Sequence, residues 1–231
     1  MKPQPHFCVY YTIHGSIISN THDHFHPTAL GMGTTHIEPE LAMIYEHVDK
    51  LEPGSIIVDG GTNAGLVLIP LAQRTKHKNI ALIGFEPQRV MHAAVSGSIV
   101  LNGLWETTRV INAALSDKCG ELHMHLPDYT SRYDFGTVRV GHTQDKPNVF
   151  RDNIVKAVTL DSLELPRLDF LKLDVEAHEL HALRGAMGTI MKFRPVMWIE
   201  FPLVGLSSIR NMLIDYTVTD MDGTNCLCTP N

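Results

Sequence analysis

Positive charge is in short supply. Nineteen Lys and Arg stand against 25 Asp and Glu, a net charge of -6, which is the wrong sign for a chain that holds nucleic acid by neutralising phosphates. Aromatic residues, at 7%, leave few platforms on which bases could stack. Cysteine is scarce as well. Cys8, Cys119, Cys226 and Cys228 are too few and too scattered for a disulfide framework and read as free thiols. Cys226 and Cys228 fall on one face of a strand without needing a bridge, and two ligands do not complete a metal site. The longest apolar runs, such as Leu66–Leu71, fall far below the roughly 18 residues that span a bilayer. The opening Met1-Lys-Pro-Gln-Pro-His also lacks the apolar stretch of a signal peptide. These absences predict a soluble, cytoplasmic protein with no membrane span and no nucleic-acid partner.

What is present is core material. Apolar residues make up 44% and charged residues 19%, enough to fold and too apolar for disorder. A length of 231 residues predicts one large domain with an extension, divided here into an extension or cap at 1–35 and a main domain at 36–231. Histidine is abundant. If all 14 imidazoles were protonated the formal charge would rise from -6 to +8, so the surface field depends on pH near 6.

Residues 1–35 carry short β-prone pieces at 7–11 and 13–18. Ile37, Leu41, Ile44, Tyr45, Val48 and Leu51 recur at helical spacing, and Glu38, Pro39 and Glu40 suit a first turn. Pro53-Gly54 stops that helix. The apolar strand Ser55-Ile-Ile-Val-Asp59 follows, then a helical stretch after Asn63, a strand at 80–86, a helix at 89–101 and a strand at 108–115. Buried strands alternating with helices mean right-handed βαβ units and a parallel sheet. An added strand at 120–126 precedes a polar loop over 127–153, long enough to be read as functional or disordered. Further along come 155–160, a strand at 168–174, one helix through Leu180, Leu183, Met187, Ile190 and Met191, and a strand at 195–201. Asp222-Gly223 sits between two β-prone runs and predicts a tight hairpin, so the sheet ends with an antiparallel strand.

The loop Val58-Asp-Gly-Gly-Thr-Asn-Ala-Gly65 joins the first buried strand to a helix, where an open parallel sheet binds ligands. Thr62 stands where a dinucleotide fingerprint needs its second glycine, and Asp59 would repel a pyrophosphate but attract a sulfonium and an ammonium. S-adenosylmethionine fits this loop and a dinucleotide fits it poorly. Glu86 closes the next strand, where a carboxylate can accept both hydrogen bonds of a ribose diol, a role common to both cofactors. The competing reading is an ordinary strand-to-helix turn.

Asp59-Gly-Gly-Thr-Asn-Ala-Gly65, Phe85-Glu-Pro87, Asn112-Ala-Ala-Leu-Ser-Asp117 with Gly120, Thr159-Leu-Asp-Ser-Leu163, Phe170-Leu-Lys-Leu-Asp-Val-Glu176 and Leu183-Arg-Gly-Ala186 follow one another in an order that resembles FkbM-type methyltransferases, from about Ile56 to Glu200. The resemblance implies a Rossmann-like α/β class I fold, a seven-stranded, mostly parallel sheet with one antiparallel strand near the C-terminus. It also implies S-adenosylmethionine-dependent transfer to oxygen, on a sugar, glycan or secondary-metabolite hydroxyl. By position it implies Asp59, Gly61, Asn63 and Gly65, with Gly60 and Thr62 of the same loop, at the methionine end of the cofactor, Glu86 at the ribose and Ala114 at the adenine. Thr62, Ala177 and His178 depart from the family pattern, and 1–35 lies outside the match.

Lys172, Asp174 and Glu176 alternate at a strand end and share one face if the chain stays extended. Asp174 is the first candidate for the general base that an alcohol acceptor requires, Lys172 offsets the carboxylates or orients the acceptor, and His178 is a competing base. The plainer reading is a buried Lys172–Asp174 ion pair with His178 exposed on a helix. Asp174 and Glu200 together could chelate a hard divalent cation, although a metal-free reaction is the expectation. His22, His24 and His26 on one face of an extended chain offer a transition-metal chelate or, more plainly, a polar cap. An NAD-dependent oxidoreductase and a non-catalytic scaffold are the competing functional readings. The acceptor is expected to contact 129–153 and the His-rich segment.

Overall fold

The computed structural model of the chain describes residues 6–141 and 151–231. It opens with a hairpin, β1 (Phe7–Thr12) and β2 (Gly15–Asn20), and two helices, α1 (His26–Gly31) and α2 (Glu38–Val48). The sheet then begins with β3 (Ile56–Gly60), α3 (Leu68–Thr75), β4 (Ala81–Phe85), α4 (Arg89–Leu101) and β5 (Thr108–Ile111). Three strands, β6 (Ala114–Leu115), β7 (Gly120–Leu126) and β8 (Arg151–Val158), leave it, and the chain returns through β9 (Phe170–Leu173), α5 (Glu179–Arg184), α6 (Met187–Phe193) and β10 (Val196–Glu200). It closes with α7 (Leu206–Met212), β11 (Tyr216–Asp220) and β12 (Asn225–Pro230).

Seven strands form the central sheet in the order β11-β12-β10-β9-β3-β4-β5. Only β12 runs against its neighbours, which is the antiparallel strand that the terminal hairpin predicts. Because β4 and β5 lie on one side of β3 and β9 and β10 on the other, the winding reverses between β3 and β9. That reversal opens a crevice at the carboxyl ends of the strands. Both faces of the sheet are covered, so alternate residues enter different cores: Val58, Ile83, Leu171 and Ile199 on one side, Ile57, Leu82, Phe170 and Trp198 on the other. Continuous apolar strands follow from that double burial. No helix of the described residues is long and apolar enough to cross a membrane.

The structure departs from the sequence reading in three places. The expected strand at 108–115 is two, because Asn112 donates from Nδ2 to the Glu86 carbonyl (2.8 Å) and turns the chain out of the sheet. Ala114–Leu115 then pairs with β8 in a second, three-stranded sheet. The single helix expected around 180–191 is broken at Gly185, whose backbone lies against the Ser116 carbonyl so closely that a Cβ would overlap it. Asp161 caps the second piece by accepting from the amides of Gly188 (3.0 Å) and Thr189 (2.7 Å). Finally, much of the polar loop is ordered. Tyr129 and Phe135 are buried with ring centroids 5.1 Å apart, and Gln88 holds both ends, accepting from the Tyr129 hydroxyl and donating to the Phe135 carbonyl, each at 2.9 Å. Of the acceptor contacts expected in 129–153, those in 142–150 lie outside the described residues.

Residues 6–35 pack onto the sheet domain. Ser16 and Ile18 donate their amides to Asn102 Oδ1 (2.9 Å) and Ser98 Oγ (2.8 Å) of the α4 region, while Ile17 and Leu30 enter the core that holds Leu41 and Leu71.

Candidate active site

The glycine loop is shaped by contacts that admit no side chain. Gly61 has φ +82° and passes against the carbonyl of Asp174. Its amide and that of Thr62 both donate to the Phe85 carbonyl at 3.0 Å, which docks the loop onto the neighbouring strand. Gly65, at φ +83°, packs on Val95 of α4, and Gly60 is closed over by Leu173 and Leu115. Gly61 and Asn63 therefore face the crevice, whereas Gly60 and Gly65 shape the backbone beneath it.

Two cavities share the crevice. The first is bordered by Gly61, Asn63, Glu86, Ala114, Asp174 and His178. Glu86 is buried there, its two oxygens accepting from the amides of Asn63 (2.8 Å) and Gln88 (2.7 Å). Burial outweighs these bonds and pushes its pKa up to about 7. Val138 and Val140, from the loop expected to be polar, close the Ala114 end. Nothing in their local pattern marks them, because Val140 pairs with Met124 and both valines pack with Ala114 and Val155, which are distant in the chain.

The second cavity holds the charges. Asp59 is 1% exposed, and neither carboxylate oxygen has a hydrogen-bond partner among the described residues. The nearest cation is Lys172, with Nζ 3.8 Å from Oδ1. Burial raises the Asp59 pKa and Lys172 opposes that shift. Lys172 is itself buried and donates to Asp174 Oδ2 at 3.0 Å. Burial alone would lower the ammonium, but Asp174, Asp59 and Glu40 raise it well above the usual lysine range and keep it charged. Glu40, which the sequence did not mark, also lines this cavity. It comes from α2, accepts from Trp198 Nε1 at 2.9 Å, and has its pKa raised by burial.

The strand ends at Leu173, and Glu176 (φ +54°) and Ala177 (φ +70°) are left-handed. The chain does not stay extended, so alternation accounts for Lys172 and Asp174 but not for Glu176. The turn nevertheless returns Glu176 to the site: one carboxylate oxygen each from Asp174, Glu176 and Glu200 lie within 4.8 Å of one another. Crowding acts on top of burial. Burial and then the neighbouring carboxylates push Glu176 to about 7, with Arg139 at 3.7 Å opposing, and Glu200 to about 8. His178 precedes α5, with Nε2 2.9 Å from Ser116 Oγ and its ring stacked on His181 at 4.4 Å.

His22, His24 and His26 do not share a face. Asp23 accepts from the amides of Phe25 and His26, turning the chain, and His26 is buried against Ser19 Oγ (3.1 Å) and Asp23 (3.6 Å). Burial lowers its pKa to about 4. Cys226 and Cys228 are free and buried, their sulfurs 3.9 Å apart.

The donors and acceptors of the crevice can be matched to a ligand. Asp59 Oδ1 and Oδ2 and Asn63 Oδ1 are buried acceptors with no hydrogen-bond donor among the described residues, an arrangement costly unless a ligand brings donors or positive charge. A sulfonium compound with an ammonium group answers both needs, and a diphosphate answers neither.

A profile described as the methyltransferase FkbM domain matches residues 59–216. The methyltransferase sdnD of Sordaria araneosa is 24% identical over 164 residues, covering 60% of this chain and 62% of that protein. The crystal structure of methyltransferase FkbM from Methylobacillus flagellatus KT superposes with a TM-score of 0.56 at 18% identity, over 78% of this chain and 44% of that one. A 16S rRNA N2 G1207 methyltransferase of T. thermophilus, in complex with AdoMet and guanosine, gives a TM-score of 0.51 at 11% identity, over all of this chain and 52% of its own. This chain spans less than two thirds of each of these relatives. At such identities the superpositions speak for the fold, the α/β architecture of class I methyltransferases.

Proposed function

Because the chain belongs to the FkbM methyltransferase family, we propose that it is an S-adenosylmethionine-dependent O-methyltransferase whose acceptor is a hydroxyl of a sugar, glycan or secondary metabolite. The observation that carries the reading is Asp59, a buried carboxylate without a hydrogen-bond donor at the strand end that faces the crevice.

In this reading Asp59 and the Asn63 carbonyl hold the cationic end of the cofactor, Glu86 accepts from its ribose hydroxyls, and Ala114 lies at the adenine. The chemistry the cofactor supplies when bound is a sulfonium methyl that passes to oxygen as the thioether leaves. Asp174 takes the acceptor's proton, because an alcohol is a poor nucleophile until that proton is removed. Lys172, kept charged by its three carboxylates, orients Asp174 through their 3.0 Å contact. Glu176 and Glu200, raised to about 7 and about 8, hold their protons near neutral pH and so need no cation beside Asp174, and turnover persists in chelator. A divalent ion held by the three carboxylates is the competing arrangement.

The net charge of -6 supports a non-nucleic acceptor. Four free thiols, two of them adjacent and unbridged, support a reducing compartment such as the cytoplasm.

Calorimetric titration with S-adenosylhomocysteine and with NAD⁺ tests the cofactor. Binding of the first alone is expected, and binding of NAD⁺ alone would replace this reading with the oxidoreductase one. Asp174→Asn then tests the chemistry: turnover with labelled methyl donor falls by about 100-fold or more while S-adenosylhomocysteine affinity holds. A wild type that binds cofactor but transfers no methyl to any hydroxyl acceptor in a broad panel would leave a scaffold.

A further inference from the structure

The second cavity measures about 340 Å³, space that the cationic end of the cofactor at Asp59 and Asn63 would share with a small acceptor. It is lined by Glu40, Asp59, Lys172 and Asp174 and by Asp134 and the N-terminal segment. Four carboxylates face one ammonium, a formal excess of three negative charges that burial reduces by raising the pKa values of Glu40, Asp59 and Asp134. The imidazoles at the wall do not offset it, because burial lowers His36 and takes His26 to about 4. A donor carrying one sulfonium, one ammonium and one carboxylate adds a single positive charge, so carboxylates remain in formal excess in the loaded cavity.

The mouth has a different character. Phe25, 54% exposed, and His36 lie there with ring centroids 5.9 Å apart, and His36 stacks on His26 at 5.6 Å. Aromatic faces beside carboxylates suit a ligand with an apolar C–H face and hydroxyl groups around its edge, since the rings cover the first and the carboxylates accept from the second. A phosphate or carboxylate on the ligand would meet like charge in a partly desolvated site.

We propose that the part of this cavity at Phe25, His36 and Asp134, beyond the end at Asp59 and Asn63 that the cofactor takes, is the acceptor site and that it admits a neutral or amine-bearing polyhydroxylated ring while rejecting phosphorylated or carboxylated ones, with Phe25 and His36 as the platform and Asp134 as the discriminating carboxylate. The inference rests on the methyl-transfer reading above and narrows its acceptor by charge. Asp134 is suited to that part because its Oδ1 also accepts from the Gly136 amide at 3.0 Å, which fixes the side chain at the wall.

The test uses the full chain saturated with S-adenosylhomocysteine, whose own titration is the control for folding and for the cofactor reading. Methyl glucoside, glucosamine and glucose 6-phosphate are titrated as probes by ligand-observed NMR. The first two are expected to bind, and the phosphate at least about 10-fold more weakly. Phe25→Ala weakens the glucoside by about 10-fold, and Asp134→Asn brings the phosphate to within about 3-fold of it, both without moving S-adenosylhomocysteine affinity. The proposal is overturned if the phosphate matches or exceeds the glucoside, if neither variant changes the pattern, or if none of the probes binds the loaded protein. Loss of S-adenosylhomocysteine binding in the wild type would overturn the methyltransferase reading itself, a separate result.

Discussion

The backbone of Gly61 passes against the carbonyl of Asp174 so closely that a single methyl group at position 61 would overlap the oxygen. One contact thus joins the first strand's loop to the strand end that carries Lys172 and Asp174, and both cavities border it. Gly61→Ala must strain a left-handed backbone as well as displace Asp174. We expect a loss of about 3 kcal/mol or more, read as a fall in unfolding midpoint in denaturant, with weakened S-adenosylhomocysteine binding.

Glu86 already accepts two backbone amides, so its replacement is not a simple loss of charge. In Glu86→Gln the amide nitrogen faces one of those donors. Affinity for S-adenosylhomocysteine should fall by about 10- to 100-fold, roughly 1.4–2.8 kcal/mol, measured at pH 8 where the native carboxylate is ionised. The wild-type affinity itself should weaken below pH 7, because a protonated Glu86 loses acceptor capacity and its pKa lies near about 7. Affinity independent of pH between 6 and 8 would contradict this.

Lys172 is the cation shared by Asp59, Asp174 and Glu40. Lys172→Met leaves buried carboxylates uncompensated and should cost about 3–5 kcal/mol in urea unfolding. Adding Asp59→Asn to that variant removes one of the stranded charges. The double variant is therefore expected to be more stable than Lys172→Met alone, and strict additivity of the two substitutions would refute the coupling.

Glu200 has a pKa raised by burial and by Asp174 to about 8, above the 4.5 of an unfolded glutamate. A carboxyl of this kind binds its proton more tightly when folded, so its contribution is favourable at low pH and is lost as pH rises from about 4.5 to about 8. Relative to Glu200→Gln, the wild type should lose stability across that window and level off above it. Thermal unfolding of both proteins at several pH values reads the difference directly. A gap that widens in favour of the wild type as pH rises would have the wrong sign.

Asp59 and Glu86 could be found in the sequence because each ends a short apolar run, and the carboxyl ends of buried parallel strands converge on one crevice whatever the loops do. Glu40, Asp134 and Phe25 could not. Glu40 meets Trp198 across 158 positions, and nothing local to either residue announces the contact. Alternation does not account for the place of Glu176, since the extended chain that would align it with Asp174 ends at Leu173 and a left-handed turn brings it beside Asp174 instead.

Local pattern alone determined the strand–helix alternation, the antiparallel finish at Asp222-Gly223 and the glycine loop, because burial on two faces and tight backbone turns each leave a signature within a few residues. Tertiary structure alone decided the break at Gly185, the departure of the chain at Asn112 and the mixture of charges around Lys172. Those depend on which distant backbone carbonyl or carboxylate a residue meets, and that is set by packing between elements rather than by the order of residues within one.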